Sequence, residues 1–195
     1  MKIHFNNKLN RKVYELFAGD FYVVKKEKSV LTTLLGSCVS VCLYDETAWI
    51  TGMNHFMLPG KIDINNLLLD EDARYGFHSM EVLINEMIKQ GAKKSRLKAK
   101  LFGGGKVLKN DLKKVSENNI EFAEAFLHME NIPIVAQDVG KDYGRKLLFF
   151  TDDFSVYQRR ITYRKTVEKA AARERKFYDW IKKSSTKESE LTLFE

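Results

Sequence analysis

Residues 32–44, Thr-Thr-Leu-Leu-Gly-Ser-Cys-Val-Ser-Val-Cys-Leu-Tyr, form the stretch that decides the fold. From residue 39 onward, two sets of side chains alternate along it, Val39, Val41 and Leu43 on one face and Ser40, Cys42 and Tyr44 on the other. A period of two is typical of a strand that packs on both faces of a sheet. Gly36 and Ser37 precede this strand, so we expect a tight corner that delivers Cys38 to its start.

Cys38 is the candidate nucleophile of the chain. Glycine lets the backbone pass close to a bound substrate, and we expect the amides of Ser37 and Cys38 to converge on one oxygen after Gly36. This corner is therefore the predicted oxyanion and substrate loop.

A thiol nucleophile needs a base, and the next apolar stretch, residues 49–59, carries His55. Residues 45–48 are short enough for a hairpin, which would make the two strands antiparallel neighbours and return His55 to Cys38. A cysteine and a histidine in hydrogen-bond reach can generate the thiolate that attacks an acyl carbon. The same two residues also fit a buried structural thiol and a core imidazole, and the residues alone leave both interpretations open.

Several separated motifs follow one another along the chain: Leu35 to Asp45, Gly52 to His55 with Leu58-Pro59, Arg74-Tyr75-Gly76, Gly91-Ala92, Lys100 to Gly104, and Gly144-Arg145. Over roughly residues 12 to 161 they resemble one family, the CheD chemoreceptor glutamine deamidases of bacterial chemotaxis. The resemblance implies that Cys38 is the nucleophile, His55 the general base and acid, and Thr32 the third member that orients the histidine. If the family motif is aligned one position further along this chain, Thr33 takes the role of orienting the histidine instead of Thr32. The chain departs from the family pattern at Gly105, Leu108, Gln137 and Lys141.

The function implied by this resemblance is the conversion of receptor glutamine side chains to glutamate with release of ammonia. No metal or organic cofactor is implied, and the expected partners are the cytoplasmic domains of chemoreceptors. An alternative from another class is an adaptor that binds and activates a CheC-type phosphatase. A protease or a transglutaminase-like hydrolase would share the thiol chemistry with a different acceptor or substrate.

Composition limits the other classes of function. The formal charge is +7, but the lysines are interleaved with acidic residues, which argues against a nucleic-acid-binding protein and allows attraction to acidic protein surfaces. No apolar run reaches the length of a membrane span, and the first residues lack the hydrophobic region of a signal peptide. We therefore expect a cytoplasmic protein that does not insert into membranes.

Strand and helix patterns alternate along the chain, which predicts an α+β fold. By resemblance, this is a mixed, largely antiparallel β-sandwich flanked by helices, with the architecture of the cytotoxic-necrotizing-factor cysteine hydrolases. Helical spacing predicts helices over residues 75–90, 116–131 and 166–183. We expect a deamidase domain over residues 1–163 and a C-terminal helical extension with a polar tail over residues 164–195. The aromatic end of that extension either caps the domain or docks a partner.

Overall fold

The structure is a computed structural model that describes residues 1–58, 60, 62–63, 66–67, 69–107, 112–161 and 172–183. Ten strands, three α-helices and a short 3-10 helix at Lys94–Arg96 lie within these residues. The strands are β1 Lys2–Asn6, β2 Arg11–Leu16, β3 Phe21–Lys25, β4 Ser29–Leu35, β5 Val39–Asp45, β6 Ile50–Asn54, β7 Lys98–Gly103, β8 Ile134–Val139, β9 Gly144–Phe150 and β10 Val156–Ile161. The helices are α1 Glu71–Lys89, α2 Leu112–Met129 and α3 at 172–183.

The strands form two five-stranded sheets. The first sheet has the order β1-β2-β4-β9-β10 and the second the order β3-β6-β5-β7-β8. The pairs β2–β4 and β7–β8 are parallel, and every other pair in these sheets is antiparallel. The prediction of an α+β fold built on mixed, largely antiparallel sheets is confirmed.

Strand β5 separates two hydrophobic clusters, as its period-two sequence predicts. One cluster joins Val39, Val41 and Leu43 to side chains of α1 and α2, including Met80, Leu83, Phe122 and Phe126. The other joins Cys38, Cys42 and Tyr44 to side chains of the first sheet, including Leu16, Leu31, Leu35 and Phe149. The helices therefore cover one face of the second sheet, and the first sheet covers the other face. Cys38 lies on the side where the two sheets meet.

Both helices predicted within the domain exist, and each begins four residues before the predicted first residue, 75 in α1 and 116 in α2. At α1 the cause is the side chain of Asp70, which accepts a hydrogen bond from the backbone of Ala73 and so caps the first turn. Strands β1 and β2 were not predicted. The five residues of β1 alternate polar and apolar side chains, but its apolar residues Ile3 and Phe5 are exposed, so this strand buries neither of its faces.

The C-terminal extension is helical over 172–183, and the first part of its predicted helix, 166–171, lies outside the described residues. Helix α3 packs on the domain, with the ring of Phe177 edge-on to Tyr75 of α1 at 5.9 Å between centroids. The division of the chain at residue 163 stays a prediction. Within the described ranges, none of the helices is both long enough and apolar enough to cross a bilayer.

Candidate active site

The corner between β4 and β5 is held in place by a run of glycines that follows β7. The amide of Gly104 donates to the carbonyl of Cys38 at 2.8 Å, and the amide of Gly105 donates to the carbonyl of Gly36 at 2.7 Å. A side chain at Gly103, whose φ is +118°, would collide with the carbonyl oxygen of Cys38. The glycine run, which resembles a phosphate cradle in sequence, thus supports the corner that carries Cys38.

His55 lies directly after β6, and the predicted hairpin returns it to Cys38. Strands β5 and β6 are antiparallel, and the pairing continues through reciprocal backbone hydrogen bonds of 3.0 Å between Val39 and Phe56. A ring nitrogen of His55 lies within 4.8 Å of the sulfur of Cys38. The two side chains are 3% and 0% exposed, respectively, so their interaction takes place away from solvent.

The hydroxyl of Thr33 orients the imidazole of His55. Its Oγ1 lies 2.7 Å from Nδ1 of His55 and 2.9 Å from the carbonyl oxygen of Leu16. Because a carbonyl can only accept, the hydroxyl donates to Leu16 and accepts from the Nδ1–H of the histidine. This assignment leaves Nε2 with its lone pair, and Nε2 is a buried atom without a hydrogen-bond partner among the described residues. A histidine in this tautomer can accept a proton from a thiol.

The hydroxyl of Thr32, the residue expected to orient the histidine, does not contact His55 in the structure. The hydroxyl of Thr32 donates to the carbonyl of Leu147 on β9 at 2.6 Å. Successive side chains of a strand point to opposite faces, and Thr33 shares its face of β4 with Leu31 and Leu35, which belong to the cluster between the two sheets. The structure therefore brings together Cys38, His55 and Thr33, and it places Thr32 on the other face. The orienting atom is a hydroxyl oxygen.

Burial favours the uncharged forms of both His55 and Cys38. It lowers the pKa of His55 to about 4, and the charge of Asp20 opposes this effect only in part. It also raises the pKa of the Cys38 thiol well above its ordinary value, and the charge of Glu174 and a hydrogen bond to it act in the same direction. In this arrangement a neutral thiol faces a neutral imidazole.

Glu174, in the first turn of α3, inserts its carboxylate into the Cys38 corner. It accepts hydrogen bonds from the amide of Gly36 at 2.7 Å, from the amide and hydroxyl of Ser37 at 2.8 Å each, and from the amide of Cys38 at 3.4 Å. Three successive amides thus converge on one carboxylate, an arrangement that binds anions and stabilises developing oxyanions. The assignment of Gly36 and Ser37 to an oxyanion and substrate loop stays a prediction.

Cys38, His55 and Glu174 also form a group whose ligand atoms lie within 4.8 Å of one another. A thiolate, an imidazole and a carboxylate are ligand types that Zn²⁺ accepts. In this site, however, both carboxylate oxygens of Glu174 accept hydrogen bonds from the corner, which accounts for its position without an ion.

Two asparagines next to the site have roles that the sequence did not indicate. Asn119 of α2 donates to the carbonyl of Ser37 at 3.1 Å and accepts from the amide of Leu58 at 2.7 Å, which ties the corner to the chain after His55. Asn54 accepts from the amide of Val41 at 2.9 Å and so joins β6 to β5. Asn54 was visible in the Gly52 to His55 motif, whereas nothing near Asn119 marks it as part of a site.

Comparison with known proteins gives a family match over residues 57–160, to the family described as CheD, chemotactic sensory transduction. A protein of Laribacter hongkongensis is 43% identical over 159 residues, which cover 81% of this chain and 77% of the relative. A protein of Shewanella oneidensis is 38% identical over 173 residues, or 88% of this chain and 82% of the relative. One of Agrobacterium fabrum is 45% identical over 135 residues, 69% of this chain and 72% of the relative.

These three relatives carry the name probable chemoreceptor glutamine deamidase CheD, with the number 1 added in Shewanella. The family match begins two residues after His55. The alignment with the Shewanella protein covers 88% of this chain. An alignment of that length must begin before Cys38, so it includes both Cys38 and His55. By the extent of the family match and the identity to its members, this chain belongs to the CheD family.

Proposed function

We propose that this chain is a protein-glutamine deamidase that acts on the cytoplasmic domains of chemoreceptors, with Cys38 as its nucleophile. The observation that carries the proposal is the arrangement of Thr33, His55 and Cys38, in which one hydroxyl fixes the imidazole and leaves Nε2 for the thiol. The names of the relatives supply the substrate. The chemistry follows from the side chains of this chain.

The first half of the reaction forms a thioester. Nε2 of His55 takes the proton of the Cys38 thiol, and the sulfur attacks the side-chain carboxamide carbon of a receptor glutamine. The carbonyl oxygen becomes an oxyanion that accepts hydrogen bonds from the amides of Ser37 and Cys38. The carbon–nitrogen bond then breaks, and the proton held on His55 passes to the departing nitrogen, which leaves as ammonia.

The second half restores the enzyme. His55 takes a proton from water, the resulting hydroxide attacks the thioester carbon, and the carbon–sulfur bond breaks. Glutamate remains on the receptor, and the sulfur of Cys38 recovers its proton. Thr33 is a positioning residue throughout, because its hydroxyl accepts from Nδ1–H whether the ring is neutral or charged.

The test is mass spectrometry of a receptor cytoplasmic fragment incubated with the full chain. We expect conversion of glutamine to glutamate, with one ammonia released for each residue converted. Cys42→Ser is the matched control, because Cys42 is a second fully buried cysteine, on β5, the strand that begins directly after Cys38. Cleaved backbone or amine cross-links in place of glutamate would instead assign the thiol to a protease or a transglutaminase. Conversion that Cys42→Ser abolishes and Cys38→Ser leaves intact would show that the wrong thiol had been chosen.

A further inference from the structure

The carboxylate of Glu174 occupies the position that the proposed reaction assigns to the substrate. Its oxygens lie on the amides of Gly36, Ser37 and Cys38, and one of them is within 4.8 Å of the sulfur of Cys38. The side chain is only 2% exposed. A glutamate bound in this way has the same side chain as the product of glutamine deamidation. The chain thus holds a product analogue of its own, if the proposed function is correct.

Glu174 reaches the site from a helix that is held on both sides of it. The guanidinium of Arg173 lies 5.6 Å above the ring of Phe17, just before the turn at Gly19. One turn later, Phe177 packs edge-on to Tyr75 and lies against the backbone of Gly19, where an added side chain would collide with its ring. The segment after β2 and the start of α1 therefore form a surface that accepts an α-helix. A helix bound there presents a glutamate or glutamine side chain to Cys38.

This occupancy closes the site to other substrates. Cys38 is fully buried, and the convergent amides that would bind an oxyanion are engaged by Glu174. A group held in the same chain competes with substrate in proportion to the fraction of time that it is bound. Helix α3 lies beyond the residues matched by the family model, 57–160.

We propose that α3 is an intramolecular competitive inhibitor, which docks in the groove for a substrate helix and places Glu174 where the glutamate product lies. Removal of the carboxylate should release the groove, because charge-assisted hydrogen bonds to the corner hold it there. Activation of this protein then requires displacement of α3, and a helical segment that carries glutamine is the ligand suited to displace it.

The first experiment measures access to Cys38 and needs no deamidation. Iodoacetamide alkylation of Cys38 in the full chain should be about tenfold faster, or more, in Glu174→Ala than in wild type. Asp179→Ala is the matched control, because it removes an exposed acidic side chain from the same helix and should leave the rate unchanged. Equal alkylation rates in wild type and Glu174→Ala would overturn the inhibitory role of α3.

The second experiment uses a receptor fragment as substrate. Glu174→Ala should lower KM about tenfold or more with kcat unchanged, as expected when a competitor is removed. An unchanged KM would refute the competition. If Cys38 is alkylated faster in Glu174→Ala but no variant converts receptor glutamine, then α3 does block access to Cys38, and it is the proposed deamidase function that is refuted.

The third experiment makes the analogue into a substrate. In Glu174→Gln, the sulfur of Cys38 should attack the side-chain carbon of the new glutamine, release ammonia, and yield glutamate after hydrolysis by water. The purified full-length chain should therefore gain about 1 Da at this position without any receptor present, and the gain should be absent when Cys38→Ser is added. A Glu174→Gln chain that converts receptor glutamine but keeps its own would show that Glu174 is not held as a product.

Discussion

Replacement of Thr33 by valine tests the orientation of His55 while keeping the shape of the side chain. Valine removes the hydroxyl that accepts from Nδ1 of His55 and donates to the carbonyl of Leu16. Both partners are then buried without a hydrogen bond, and each unsatisfied group costs about 1 to 3 kcal/mol. The free energy of unfolding of Thr33→Val should therefore fall by about 2 to 6 kcal/mol.

The effect on turnover follows from the charge that His55 acquires during the reaction. The Nδ1–H of the imidazolium makes a charge-assisted hydrogen bond to Thr33, and such bonds contribute about 1.5 to 3 kcal/mol. Since each 1.36 kcal/mol corresponds to a factor of ten in rate, kcat for deamidation of a receptor fragment should fall roughly 10-fold to 100-fold. Thr33→Ser, which keeps the hydroxyl, should recover most of this loss.

Thr32→Val is the matched control on the neighbouring position of the same strand. It removes only the hydrogen bond to Leu147, so we expect a loss of stability of about 1 kcal/mol and little change in kcat. Stability is measured by urea unfolding, and turnover by conversion of glutamine in folded samples. Normal turnover in Thr33→Val together with a large loss in Thr32→Val would refute the orientation of His55 described here.

Three further predictions concern buried titratable groups of this chain. Burial lowers the pKa of His55 from 6.5 to about 4, so between these pH values the folded protein binds fewer protons than the unfolded chain. The free energy of unfolding, measured by urea titration, should therefore fall by about 3 kcal/mol from pH 6.5 to pH 4. A similar dependence on pH in His55→Gln would contradict this assignment. Burial alone would raise the pKa of Asp45, but hydrogen bonds from Arg96 and two backbone amides lower it to about 2, so Asp45 stabilises the fold above its ordinary value of 3.8 and loses this effect as the pH falls toward 2. Arg96→Met should cost about 1 to 2 kcal/mol in urea unfolding at neutral pH, and an unchanged midpoint would show that the pair adds nothing. Burial raises the pKa of Cys42 to about 12. The pKa of Cys38 is raised as well, but His55 lies beside this thiol and can take its proton, so iodoacetamide should label Cys38 first at neutral pH. Cys42→Ala should cost about 1 kcal/mol of stability at full turnover, and earlier labelling of Cys42 would reverse the assignment of the two thiols.

The central elements of the fold could be predicted because their information is local. The alternation in β5, the short turn before β6 and the apolar spacing of α1 and α2 each lie within one segment, and each of these segments forms as predicted. The hairpin alone was enough to bring His55 to Cys38. Strand β1 was missed although its five residues alternate polar and apolar side chains, and this pattern does not mark a buried face, since Ile3 and Phe5 are both exposed.

The choice between Thr32 and Thr33 could not be made from the sequence. It depends on which face of β4 meets the other sheet, and that face is set by the pairing of β4 with β2 and β9, segments distant from it in the chain. Glu174 is an extreme case, since its carboxylate contacts Ser37, a residue 137 positions away in the sequence. A single acidic residue among the charges of a C-terminal helix carries no local pattern that would place it in a site.

The most direct test of the central claim compares the initial deamidation rates of Cys38→Ser, His55→Ala and the double variant, each as a folded full-length chain with a receptor fragment as substrate. If the thiol and the imidazole act as one unit, each single substitution should nearly abolish conversion, and the double variant should be little slower than either. Multiplied losses in the double variant would mean that the two residues act independently. Wild-type conversion by folded Cys38→Ser would contradict the account.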